Sequence, residues 1–169
     1  AGYNPEKNFT PVVVATTQPN VISVNEKVPA KTIAELKELS TKENLSYSSP
    51  GSGTTPHLTC ENLFKVLWKS NIAHIPYKGA EATRDLVAGR LQFMFATAPS
   101  VIPLIKAGQL NAIAVSSKKR ISAMPDLPTL NDLGVDIATG AWFGLFAPAG
   151  TNPAIIKKLN ETVVSILEE

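Results

Sequence analysis

Leu86-Val87-Ala88-Gly89-Arg90-Leu91 and, nineteen residues on, Ile105-Lys106-Ala107-Gly108-Gln109-Leu110 share one design. Each runs from an apolar helix end through Ala-Gly and a polar residue to a leucine that opens an apolar run. Each glycine stands where a helix stops, at the position that turns left-handed and favours a residue without Cβ. The runs that follow, residues 91–95 and 110–115, are apolar nearly throughout, as strands covered on both faces are. Strands alternating with helices across such short turns predict an α/β fold with a doubly wound, mostly parallel sheet.

The same alternation extends both ways. Upstream, residues 11–16 and 21–24 read as two strands separated by a turn at Gln18-Pro19-Asn20. Pro29-Ala30-Lys31-Thr32 opens a helix with Ile33, Leu36 and Leu39 on one face. A short strand at 45–48, a helix carrying Leu58, Leu63, Phe64 and Leu67, a strand at 72–75 and a helix at 79–88 follow. Downstream, Met124-Pro125-Asp126-Leu127-Pro128-Thr129 predicts a semi-rigid crossing between lobes. Residues 141–147 read as a strand, and Asn152-Pro153 starts a terminal helix.

The chain has 169 residues, which at roughly 100–200 residues per domain means one domain or two small lobes. Sixteen Lys+Arg against fourteen Asp+Glu leave +2, and the longest basic block is Lys118-Lys119-Arg120, so the concentrated basic stripe of a nucleic-acid surface is absent. A single cysteine excludes an internal disulfide framework and a multi-cysteine metal site. No apolar run approaches the roughly 18 residues of a membrane span. Ala1-Gly2-Tyr3-Asn4-Pro5 is polar, with neither the basic nor the apolar region of a signal peptide, a pattern that mature exported and cytosolic proteins share.

The richest candidate site is the loop Ser48, Ser49, Gly51, Ser52, Gly53, Thr54 and Thr55, which leaves a strand and enters a helix. Thr55 as N-cap with Pro56 at the first helical position fits helix-start chemistry. Free N–H groups there, with the positive end of the helix dipole, suit a carboxylate or phosphate. The bland alternative is that Gly51 and Gly53 only permit a tight turn. A dinucleotide fingerprint fails because Pro56 stands where the third glycine belongs, and no Gly-Lys-Ser/Thr P-loop occurs, so no nucleotide cofactor is expected. Tyr77 could wall a pocket while the N–H groups of Gly79 and Ala80 meet a carboxylate, and Ala96 and Thr97 end the next strand on the same edge. Three loops at the carboxyl ends of neighbouring strands point to binding rather than catalysis.

His57, Cys60 and Glu61 fall at i, i+3 and i+4, where they could hold zinc; a buried cysteine beside a solvated glutamate is the favoured reading. A small hydrolase or transferase using His57 with Cys60 is the rival from another class, although no Gly-x-Ser-x-Gly elbow or paired-histidine motif supports it. A third reading is an interaction module with a vestigial pocket.

Ser49-Pro50-Gly51-Ser52-Gly53 followed by His57-Leu58 and Glu61, then His74-Ile75-Pro76-Tyr77-Lys78-Gly79, resembles the periplasmic solute-binding receptors of tripartite tricarboxylate transporters, the Bug family. Further matches are Ile105-Lys106-Ala107-Gly108 leading to Ala114-Val115-Ser116, Pro125-Asp126-Leu127-Pro128-Thr129 and Trp142-Phe143-Gly144-Leu145-Phe146-Ala147-Pro148. The resemblance implies a type II periplasmic-binding-protein fold that closes two lobes on a small carboxylate and presents it to membrane subunits, with no enzymatic activity, metal or cofactor. It places the second lobe's ligand loops on 48–55, 76–79 and Ala96-Thr97, and it implies a periplasmic location. Ala96-Thr97 departs from the acidic residue and asparagine of many relatives, which argues against an amino-acid ligand. The expected organisation is partial first-lobe strands and hinge at 1–25, a complete second lobe at 26–120, and a return hinge with partial first lobe at 121–169. The chain then matches an internal portion of a receptor, somewhat over half of one. It is expected to form a homo-oligomer or domain-swapped dimer that covers exposed first-lobe surface, and to bind ligand weakly or not at all when isolated.

Overall fold

The computed structural model describes residues 2–77 and 81–168. They form two compact units: Gln18–Ala141, and the residues up to Thr17 together with those from Trp142 on.

After a short helix α1 (Pro5–Asn8), one continuous strand β1 (Phe9–Asn25) occupies the stretch where two strands and a turn are expected. No turn forms at Gln18-Pro19-Asn20, because the Asn20 N–H donates to Ser116 Oγ (3.1 Å) and the Asn20 carbonyl accepts from the Ser116 N–H (2.8 Å). Long-range pairing holds Asn20 extended, and Pro19 brings no N–H that would need a partner.

The larger unit continues with α2 (Ile33–Lys42), β2 (Leu45–Ser49), α3 (Thr55–Cys60, extended by a π-helical stretch Glu61–Leu67) and β3 (Ile72–Pro76). Then come α4 (Glu81–Val87), β4 (Phe93–Thr97), α5 (Ala98–Lys106) and β5 (Leu110–Val115). The strand order is β3-β2-β4-β1-β5. β2 runs parallel to β3 and β4, and β1 lies antiparallel between β4 and β5. The sheet is therefore mostly parallel, as expected, with one reversed strand, β1, next to its β5 edge.

Side chains alternate across the sheet. Phe93 and Phe95 join Ile22, Tyr47 and Phe64 in one layer, while Met94 and Ala96 join Val21, Leu86 and Val101 in the other. Phe93 stacks between Phe64 (4.7 Å between ring centroids) and Tyr47 (5.6 Å). Burying one such side chain is worth about 1.5–3 kcal/mol. Leu63 and Phe64 carry the core face of the α3–π helix, whereas Leu58 and Leu67, expected beside them, are mostly exposed.

The helix stops at Gly89 and Gly108 follow the expected chemistry. Their φ angles are +77° and +73°. In each, the glycine N–H and that of the next residue return to carbonyls of the last turn: Gly89 to Leu86, Arg90 to Asp85, Gly108 to Ile105 and Gln109 to Leu104. α2 starts on a reciprocal capping box between Thr32 and Glu35.

Residues 124–129 do not run between the two units. They pack inside the larger one, where Thr129 bridges Val115 and Leu127 is buried. The Val115 N–H donates to the Pro128 carbonyl and its carbonyl accepts from the Leu130 N–H, so this segment satisfies the open edge of β5.

In the smaller unit, β6 (Gly140–Pro148) pairs with β1, and α6 (Pro153–Leu167) is capped by Asn152. A Cβ on Gly144 would lie 3.0 Å from the Val13 carbonyl oxygen, so a larger residue there would have to push the two strands slightly apart. The Asn160 amide donates to the Val12 carbonyl (2.7 Å). α6 has no buried residue, and Trp142, Phe143, Ile155 and Ile166 are all exposed.

Candidate functional site

β2, β3 and β4 are neighbours and run in the same direction, so the loops after them leave one edge of the sheet. Open α/β sheets bind ligands at this edge, where strands end and helices begin.

The loop after β2 is a tight glycine turn. Gly51 and Gly53 have φ of +147° and +81°, backbone that side chains rarely adopt. Thr54 Oγ1 donates to the Gly51 carbonyl (2.7 Å), and Ser49 Oγ accepts from the Gly51 N–H (3.2 Å). Thr54, not Thr55, is the N-cap, and Pro56 stands at the second helical position. The shift by one residue follows from Thr54 keeping extended backbone while Thr55 already turns into the helix. The Gly53 N–H donates to His57 Nδ1 (3.2 Å). Among the described residues, the N–H groups of Ser52, Thr55 and His57 have no acceptor. Ser52 and Gly53 are exposed, and Gly51, Thr54 and Thr55 half-buried. Ser48 and Ser49 are fully buried, so their side chains underlie the turn rather than line its mouth.

Beside it, β4 ends at Thr97, the N-cap of α5. Ala96 is buried and Thr97 half-buried. The Thr97 hydroxyl makes no cap bond; it donates to Ser100 Oγ (3.3 Å), which donates to the Thr97 carbonyl (2.7 Å). Ala96, Thr97 and Pro50 also border a mostly apolar groove of about 740 Å³, together with Thr83, Arg84 and Leu104.

On the other side, the Tyr77 N–H donates to the Ser49 carbonyl (3.0 Å), which ties the ends of β2 and β3 together. Its hydroxyl donates to Asp85 (2.8 Å), so the ring is held toward α4. That bond pushes the Tyr77 hydroxyl up and holds Asp85 below the usual carboxylate range. Gly79 and Ala80, with Lys78, lie outside the described residues.

Beneath the glycine turn lies a layer that motif reading did not assemble. The His57 and His74 rings are 4.2 Å apart between centroids, and His74 is 4.9 Å from Tyr47. Ser49 Oγ sits 2.7 Å from His74 Nε2 and 3.0 Å from the Gly51 carbonyl. A carbonyl only accepts, so the hydroxyl donates to it and His74 presents an Nε2–H. The Tyr47 hydroxyl donates to Glu61 (2.7 Å), which also pairs with Lys65 (2.9 Å). Burial works to raise the Glu61 carboxyl, but Tyr47, Lys65 and His57 outweigh it and the pKa is lowered. Burial, and next the charge of His57, hold His74 below the ordinary imidazole value.

These contacts overturn the hydrolase reading. Cys60 is fully buried and burial pushes its thiol well up, which removes the thiolate a nucleophile needs. Nor do His57, Cys60 and Glu61 form a metal-binding group: among the described residues no cluster of three such side chains is placed to hold an ion.

A wound sheet with glycine turns and helix starts gathered at the ends of adjacent parallel strands has the layout at which open α/β sheets take small ligands. The tripartite tricarboxylate transporter receptor family matches residues 1–169, and the chain belongs to that family. It is 37% identical to an R. palustris protein solved with adipate, covering 96% of this chain and 55% of that one at a TM-score of 0.87. It is 29% identical to MatC from Rhodopseudomonas palustris with bound malate, covering 99% and 58% at 0.85. With the periplasmic binding protein BugD the identity is 32%, the coverage 96% and 55%, and the TM-score 0.83. The chain spans about half the length of the curated relatives it matches.

Proposed function

We propose that the larger unit is the carboxylate-anchoring lobe of a solute-binding receptor, and that a ligand carboxylate accepts hydrogen bonds from the turn after β2. The observation that carries this reading is the set of N–H groups, Ser52 and Thr55 among them, left without an acceptor among the described residues on a glycine turn that opens a helix. A helix start and fixed amides favour an anion without a bulky cationic side chain. Gly51, Gly53, Thr54 and Thr97 shape the rim, Ser48, Ser49 and Ala96 support it from within, and Tyr77 stands where the third loop begins. Adipate and malate in two related structures support a small dicarboxylate as the ligand class.

In this reading the residues flanking the lobe belong to a second one, the receptor works in the periplasm, and its partners are transporter membrane subunits. Closure needs two walls, so the lobe by itself binds weakly, because half of the contacts must offset the whole cost of immobilising the ligand. The exposed apolar surface of the smaller unit supports self-association or a domain-swapped dimer. Calorimetry with malate and adipate, on material sized by light scattering, tests both points. Weak heats from a self-associated species are expected, and micromolar binding by a monomer would overturn the half-pocket reading.

That same apolar surface is the observation that favours an interaction module with a vestigial pocket. Under it, Gly53→Val leaves assembly intact and removes no binding; under the receptor reading it abolishes the carboxylate response.

A further inference from the structure

We infer that His57 is a positioning residue for the glycine turn: its neutral ring, packed on His74, fixes Gly53, and the turn loosens when the histidine pair takes up a proton. The inference rests on the carboxylate reading only for its consequence, since the turn it concerns is defined without a ligand.

Gly53 has φ of +81°, and its N–H donates to His57 Nδ1 at 3.2 Å. That nitrogen accepts only in the neutral ring. Protonation would set an N–H against the Gly53 N–H and break the bond. The rest of the turn is tied at Gly51, through Ser49 Oγ and Thr54 Oγ1, and the Thr54 N–H reaches the Gly51 carbonyl only at 3.4 Å. Ser52 and Gly53 therefore depend on His57. Ser52 carries one of the unspent amides, so a proton on His57 disturbs the anion site through the backbone without touching ligand.

The groups around the pair set its response. On its own helix His57 has Glu61 one turn on, and Glu61 is paired with Lys65 at 2.9 Å. The buried Cys60 thiol stays neutral. From β2 the pair meets the Tyr47 hydroxyl, engaged with Glu61, and Ser49 Oγ. From β3 it meets His74, whose ring centroid at 4.2 Å makes two charged imidazoles costly. Burial, and next the charge of His57, hold His74 below the ordinary imidazole value, and it is His57 whose Nδ1 is bonded to the turn.

The test follows the Gly53 amide and the His57 ring by NMR in the whole chain, without ligand, between about pH 8 and pH 5. The two are expected to titrate with one midpoint. His57→Asn supplies an acceptor oxygen near the place of Nδ1 but takes no proton there; it should keep Gly53 at its high-pH position and remove the pH dependence. His57→Ala should lose the high-pH position altogether. His74→Phe keeps a ring beneath His57 but takes no proton, and the Gly53 amide should still follow the His57 ring there. A Gly53 amide that stays still while His57 titrates, a pH profile that survives in His57→Asn, or one that disappears in His74→Phe would overturn the inference. Malate added to the same samples separates the two readings. Silence at Ser52 and Thr55 with the Gly53 profile intact would sink the carboxylate reading alone.

Discussion

In Gln18–Ala141 the large side chains lie inside, with Tyr47, Phe64, Phe93 and Phe95 fully buried; in the smaller unit Trp142, Phe143 and Ile155 are 56%, 54% and 53% exposed. Among the described residues, every titratable group whose pKa is clearly shifted, from Glu35 to Asp132, also belongs to the larger unit. Buried contacts and tuned charges thus coincide in the unit that carries the strand-end loops. The larger unit has what it needs to hold its own fold, while the smaller one presents apolar surface of the kind that a partner covers.

This contrast is broken most forcefully at Phe93. Phe93→Ala should lower the free energy of unfolding by about 3–5 kcal/mol, read from urea transitions. Phe143→Ala, on the exposed side of the comparison, should fall within about 0.5 kcal/mol for the monomer. A large effect at Phe143 would mean that the smaller unit has a core of its own.

Next in size is self-association. Replacing Trp142 and Phe143 with serine should shift sedimentation toward the monomer, since each buried aromatic contributes about 1.5–3 kcal/mol to an interface that covers it. Unchanged association would place the contact elsewhere.

A smaller effect is expected where local backbone decides. At Gly89 an added Cβ meets only the Asn25 side chain, at 3.8 Å or more, so Gly89→Ala should cost about 1–2 kcal/mol, arising from the left-handed backbone. A neutral result would mean that the helix stop tolerates rearrangement.

The mildest expected effect concerns pH. His74 has a depressed folded pKa, so below the ordinary value of 6.5 the unfolded chain binds a proton that the folded chain refuses. Its contribution to stability is therefore complete above that value and is lost as pH falls toward the folded pKa. Urea midpoints should decline across that window in the native chain and less so in His74→Phe; equal slopes would remove His74 as the cause.

How far the sequence could be read depended on how local the physics was. The stops at Gly89 and Gly108 and the start at Asn152-Pro153 are set within a few residues, and they stand as expected. The turn at Gln18-Pro19-Asn20 failed because Asn20 answers to Ser116, which no local pattern reveals. The crossing at 124–129 failed likewise, since the prolines mark an edge-capping segment of the larger unit. Strand-end loops were legible from the alternation of strands and helices, but not the layer under them. Tyr47 to Glu61 and His57 to His74 are contacts between a helix and two strands, and periodicity says only which residues face inward. A signal was present in the offsets: Tyr47 and His74 pair directly across β2 and β3, so a strand alignment alone puts both beneath the same helix start.

The central claim is that the turn after β2 uses its amides to hold a carboxylate, and amide chemical shifts read this most directly. Adding malate or adipate to the isotopically labelled chain should move the Ser52 and Thr55 resonances in a saturable way, with the corresponding neutral diamide moving neither. Shifts that are absent there, or that the neutral diamide reproduces, would contradict the account.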